Sequence, residues 1–162
     1  MLRLIALGSL LVATSGGGPP SGAERELLER HAAILEAHRH NDARAIVANH
    51  CPDFVLGSAG SITRPSAEQM RGMLEPYLSR TRFSAYEDLI APIARVSPDG
   101  RLGWVIVQVH AKGRQRDEKG AESDLEFVSA WVELYEKRDG RWCAAGNVSN
   151  FKPPERVSAA SR

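Results

Sequence analysis

The chain has 162 residues, and its 21 lysines and arginines against 20 aspartates and glutamates leave a formal net charge of +1. That length is one domain's worth, enough to bury a substantial core. The charge balance offers no basic face for nucleic acid and no reason to invoke an anionic membrane.

The first 23 residues, MLRLIALGSLLVATSGGGPPSGA, place Arg3 ahead of an apolar run from Leu4 to Ala13, followed by small residues, Gly and Pro. This is the build of a secretory signal peptide, because the run is too short to span a bilayer comfortably and its exit is cleavable. Small-x-small sites end at Ser15 and at Ala23. No Cys directly follows the run, which argues against a lipoprotein. The expectation is an exported protein, periplasmic or secreted, with no membrane attachment after cleavage. Residues 1–23 form the signal and linker, 24–152 the domain, and 153–162 (PPERVSAASR) a disordered tail. Cys51 and Cys143 permit one disulfide in an exported chain; two buried thiols are the alternative.

In chain order, ERELLERHAAILEAHRH sets Leu27, Leu28, His31, Ile34, Leu35 and His38 on one side of a helix. Asn41 suits the left-handed position that ends it, and Asp42 the N-cap of a short second helix from about 43 to 49. DFVLGSAGSITR reads as a short strand and a turn. Ser66 with Gln69 forms a capping box for a third helix, whose Met70, Met73, Leu74, Tyr77 and Leu78 are spaced as core. FSAYEDLIAPIARVS reads as one long strand that Pro92 confines to an edge or a bulge. In LGWVIVQVHAKG, Val105, Val107 and Val109 share one face, opposite Trp104, Ile106, Gln108 and His110. RQRDEKGAES is a solvated hairpin tip, DLEFVSAWVELYEK the next strand, and RWCAAGNVSNF the last. Two helices, a short strand, a third helix and long strands make an α+β domain.

Three stretches in this order carry a resemblance: HND between the first two helices, CPDF entering the first strand, and YEKRDGRW leading into the last. With them the chain resembles the nuclear transport factor 2-like superfamily, in particular its SnoaL-like members, over about residues 24–151. The resemblance implies a cone: a curved antiparallel sheet wrapped around three N-terminal helices, with a cavity open at one end. It also implies a homodimer formed through the outer face of the sheet. Superfamily members include isomerases, dehydratases, cyclases, epoxide hydrolases and proteins with no chemistry, so the site is argued residue by residue.

The ketosteroid isomerase type of this fold uses a proton-moving carboxylate and two acidic donors. Counted onto this chain, those positions fall at Ile34, Ser58 and Val132, none of which supplies that chemistry. No catalytic residue is assigned on this ground, and no metal or cofactor is expected. His31 and His38 lie seven apart, about 10 Å along a helix, too far to share one metal ion. In the last strand, Asn147 and Ser149 should point into the cone together with Cys143 and Ala145. One residue of slip would turn Gly146, Val148 and Asn150 inward instead. The candidate ligand-binding residues are therefore His31, His38, Ser58, Asn147 and Ser149. Trp104, Trp131 and Trp142 are expected in the core. Glu133 would be the best available carboxylate acid or base if it faced inward, although an exposed strand-face carboxylate is commoner. The leading expectation is an exported domain that binds a small, mostly apolar molecule. An enzyme of isomerase, dehydratase or hydrolase type using a pocket histidine, and a dimeric scaffold with a vestigial cavity, are the alternatives.

Overall fold

The computed structural model describes residues 19–151. The apolar N-terminal run with its Ser15 cleavage site, and the expected tail at 153–162, lie outside the described residues. The first helix, α1 (Gly22–Arg39), begins two residues before the expected domain boundary. Ser21 is its N-cap: the hydroxyl accepts from the Glu24 amide, and the Glu24 carboxylate accepts from the Ser21 amide. This capping box satisfies two amide donors that a helix start would otherwise leave unpaired. Cleavage after Ala23 would remove it; cleavage after Ser15 would not.

Asn41 ends α1 in the left-handed region (φ 57°), and its side chain donates to the Thr81 carbonyl. Asp42 then caps the short α2 (Ala43–Val47) by accepting from the Ala45 amide. Strand β1 (His50–Ser58) starts earlier than the sequence suggests and turns back through β2 (Ser61–Thr63). The third helix, α3 (Ala67–Ser79), carries the Ser66–Gln69 capping box. Met70 and Leu78 of α3 are buried, but Met73, expected in the core, is exposed.

The stretch expected as one long strand is two. β3 (Thr81–Asp88) and β4 (Ile93–Val96) both pair with β5 (Leu102–Arg116), and the bend at 89–92 separates them where Pro92 denies the ladder a donor. β5, β6 (Glu122–Arg138) and β7 (Arg141–Phe151) then form a long antiparallel meander.

The curved sheet has seven strands in the order β2-β1-β7-β6-β5-β3, with β4 beside β5. It is mixed rather than wholly antiparallel, because β1 runs parallel to β7. That pairing brings the two cysteines together, and Cys51 and Cys143 are disulfide-bonded with Cα atoms 5.1 Å apart. The alternation in β5 is as expected: Val105, Val107, Val109 and Ala111 are buried against Leu27 and Leu35 of α1. Each fully buried valine contributes about 1.5–3 kcal/mol by the area it removes from water. The three helices therefore sit inside the concave face.

Candidate functional site

Between the helices and the concave face lies an open cavity of about 530 Å³. Its wall is mainly apolar and aromatic: α1 supplies Ile34, α3 supplies Met70, Leu74 and Tyr77, and the sheet supplies Phe54 and Phe127 among others. Among the described residues, no lysine or arginine lines it.

The polar part of the wall is built around Glu133. Trp131, Glu133 and Tyr135 alternate along β6 and so share its inner face. The two flanking residues donate to the one between them: Trp131 Nε1 to Oε1 and Tyr135 Oη to Oε2, each at 2.8 Å. From α1, His31 adds a third donor, with Nδ1 2.8 Å from Glu133 Oε1. The other ring nitrogen of His31, Nε2, lies 3.0 Å from Asp88 Oδ1 at the end of β3. Both nitrogens thus face carboxylate oxygens, and the ring satisfies both as an imidazolium. Burial alone would lower the pKa of His31, but the Glu133 and then the Asp88 interactions outweigh it and hold the proton on. Tyr135, buried beside this carboxylate, keeps its phenol proton far above the ordinary range.

His38, two turns further along α1, is a different histidine. Its Nδ1–H donates to the Ile34 carbonyl at 2.8 Å, which fixes the tautomer and leaves Nε2 an unprotonated acceptor. The ring stacks on Tyr86 at 4.4 Å, and burial lowers its pKa below the usual value. His50, at the start of β1, also lines the cavity and stacks on Phe54 at 3.9 Å. Its Nδ1 is buried with no hydrogen-bond partner among the described residues, and burial takes its pKa down to about 4. The cavity therefore carries two neutral imidazoles, while the charged one lies behind its wall.

Of the residues proposed from sequence, His38, Asn147 and Ser149 line the cavity. His31 does not line it; it is fully buried and acts through Glu133. Ser58 does not line it either, and its hydroxyl lies 3.2 Å from that of Ser149. Cys143 and Ala145 do not share the inner face with Asn147 as expected. The ladder shifts between the Leu134–Gly146 and Tyr135–Ala144 pairs, so Ala145 is an extra residue and Ala144 faces the cavity instead. Of the three tryptophans, Trp142 is core, Trp131 is a wall residue and Trp104 is half-buried on the other face.

Glu133 is the inward carboxylate; counting back from the Gly140 turn lands one residue beyond it, on Val132. Asn147 is its direct partner across β6 and β7, a placement in which Cβ atoms lie about 5 Å apart. Asp88, Tyr135 and His50 are not among the candidate ligand-binding residues read from the sequence. The adjacent aromatic, acidic and aromatic alternation WVELY was the one available signal for the cage. Among the described residues no group of three or more His, Cys, Asp or Glu side chains could hold a metal ion.

No family model matches the chain, and no curated protein matches it. Its fold is shared with many solved structures. A protein from Xanthomonas campestris described as a calcium/calmodulin dependent protein kinase II association domain is 20% identical with a TM-score of 0.61, over 86% of this chain and 95% of that one. A ketosteroid isomerase-like protein from Erwinia carotovora atroseptica is 18% identical (TM-score 0.60; 82% and 98% covered). An NTF2-like protein from Cytophaga hutchinsonii is 16% identical (TM-score 0.61; 79% and 97% covered). At these identities the likeness establishes the architecture, and the chain has the nuclear transport factor 2-like fold.

Proposed function

We propose that this is an exported binding protein whose cone holds one small, mostly apolar molecule, and that it works as a homodimer. The observation that carries the reading is the cavity: about 530 Å³, apolar on most sides, with a few polar groups at fixed points. Ligand sites are commonly built this way. Export is supported by the signal-like N-terminal sequence and by the Cys51–Cys143 disulfide, a bond that persists in oxidising compartments. Among the described residues, no helix is long and apolar enough to cross a membrane.

Self-association is supported by the convex face. Ile93, Ile106, Val132 and Val148 are register partners in one row across β4, β5, β6 and β7, and three of them are exposed. A second copy would cover such a stripe. The kinase association domain neighbours assemble by name, and that name belongs to those proteins.

The test is binding of the neutral probe N-phenyl-1-naphthylamine, followed by its emission on entering an apolar site. The mature chain should take up one probe per subunit, and Leu74→Trp, which fills the cavity from α3, should abolish uptake while leaving the thermal transition in place. Equal uptake by the filled variant would contradict the reading.

A second reading, an acid–base enzyme, rests on Glu133. A carboxylate on the wall of an apolar cavity, held by three donors and backed by a buried imidazolium, is oriented to exchange a proton with a bound molecule. Under that reading Glu133→Gln retains binding and loses turnover; under the first it changes binding alone.

A further inference from the structure

The polar groups of the wall restrict what the occupant can be. Anions are disfavoured on every side. Among the described residues no lysine or arginine lines the cavity, the Glu133 carboxylate does, and His31, the cation behind that carboxylate, is already shared between two carboxylates. A buried anion without a partner is costly enough to exclude a carboxylate or sulfonate ligand.

A cation fares little better. Glu133 already accepts three hydrogen bonds, and the rest of the wall is aromatic, aliphatic or neutral polar.

What the wall does offer is one acceptor whose state is settled by geometry. The Nδ1–H of His38 is committed to the Ile34 carbonyl, and the ring is clamped flat on Tyr86 with only 10° between the planes. Its Nε2, on the far side of the ring from that bond, is an acceptor in a cavity whose wall is mainly apolar. An apolar occupant lacking a donor would cover that nitrogen and leave it unpaired, at a cost comparable to a lost hydrogen bond.

Resting on the binding function proposed above, we propose that the cavity is selective for neutral molecules with an apolar body and a hydroxyl group, whose O–H donates to His38 Nε2. Selection by a buried acceptor favours the hydroxylated molecule over its hydrocarbon, because the hydrocarbon strands the acceptor.

The test is equilibrium dialysis of the full chain at pH 7 against naphthalene, 2-naphthol and 2-naphthoate, three probes sharing one apolar body. The structure leads us to expect 2-naphthol to bind about fivefold tighter than naphthalene, the effect of one hydrogen bond. It should bind at least about tenfold tighter than 2-naphthoate, whose charge stays unpaired. His38→Phe, which keeps an aromatic ring against Tyr86, should bring 2-naphthol and naphthalene to equal affinity. Equal binding of the two by the unaltered chain, or tightest binding of the naphthoate, overturns the selectivity while leaving the cavity a binding site. If neither naphthalene nor 2-naphthol binds, the binding function itself fails and the selectivity with it.

Discussion

His31 Nδ1 lies 2.8 Å from Glu133 Oε1, joining α1 to β6 across 102 residues of sequence. The pair is buried, with Asp88 on the opposite nitrogen of the imidazole. Removing one member of a buried pair leaves the other desolvated and unpaired, at a cost of about 3–5 kcal/mol. His31→Ala should therefore lower the unfolding free energy by about 3 kcal/mol or more in urea titrations. A loss below about 1 kcal/mol would mean the triad is not formed in solution.

The histidines should pull stability in opposite directions with pH. His31 is raised above its ordinary 6.5, so its contribution is whole below pH 6.5 and is lost as pH rises through its folded pKa. The groups facing it are Glu133 on β6 and Asp88 on β3. His50 is lowered to about 4, so the unfolded chain binds the extra proton between pH 6.5 and 4, and stability falls across that window on acidification. Ring-proton titrations by nuclear magnetic resonance check this directly: His31 should titrate above 6.5, His38 below it, and His50 near 4. His50→Phe should reduce the acid-side loss, leaving the share that His38 contributes through its own lowered pKa, and His31→Ala should remove the alkaline one.

The disulfide closes a sequence separation of 92 residues and ties β1 to β7. Constraint of a loop that long is worth up to about 5 kcal/mol, with about 2–5 kcal/mol typical when a native bridge is removed. The Cys51→Ser, Cys143→Ser double variant should unfold at distinctly lower urea. Identical midpoints with and without reductant would show that the bridge is absent in the purified chain.

Much of the architecture was legible because it is local. The capping box at Ser66, the left-handed Asn41 and the alternation of Val105, Val107 and Val109 are all set by neighbours within a few residues. The site was less legible because its members are not neighbours. Asp88, His31 and Glu133 come from three elements, and nothing in any one segment fixes their phase relative to the others. The WVELY stretch is apolar on both faces around the acid, so periodicity could not tell whether Glu133 or Val132 turned inward. The bulge at Ala145 then shifted the face of β7 by one residue, so that Asn147 and Ser149 point inward from the opposite phase to Cys143. Parallel pairing of β1 with β7, a contact of long sequence separation, was likewise invisible.

Two glycines should respond in opposite senses to alanine. At Gly113 a Cβ would fall 2.1 Å from the Arg82 carbonyl oxygen, where β3 approaches β5 beside a register shift. Gly113→Ala must push backbone apart and should cost about 2 kcal/mol or more. Gly72, inside α3, has nothing within 4 Å of an added Cβ. Gly72→Ala should stabilise by up to about 1 kcal/mol through helix propensity. Melting temperatures of the two variants against the parent decide both.

On the convex face, Ile106→Lys with Val148→Lys places two charges in the exposed register row without touching the cavity wall. Sedimentation velocity should show a dimer for the parent chain and a folded monomer for the variant. The same sedimentation coefficient for both would move the interface elsewhere.

Whether the cone is a ligand site is decided by a crystal structure of the chain purified from its native source. Continuous density for a neutral molecule should fill the cavity, with a polar atom at hydrogen-bond distance from His38 Nε2. An interior closed by Leu74, Phe127 and Phe151, with no volume left between α3 and β6, would contradict it.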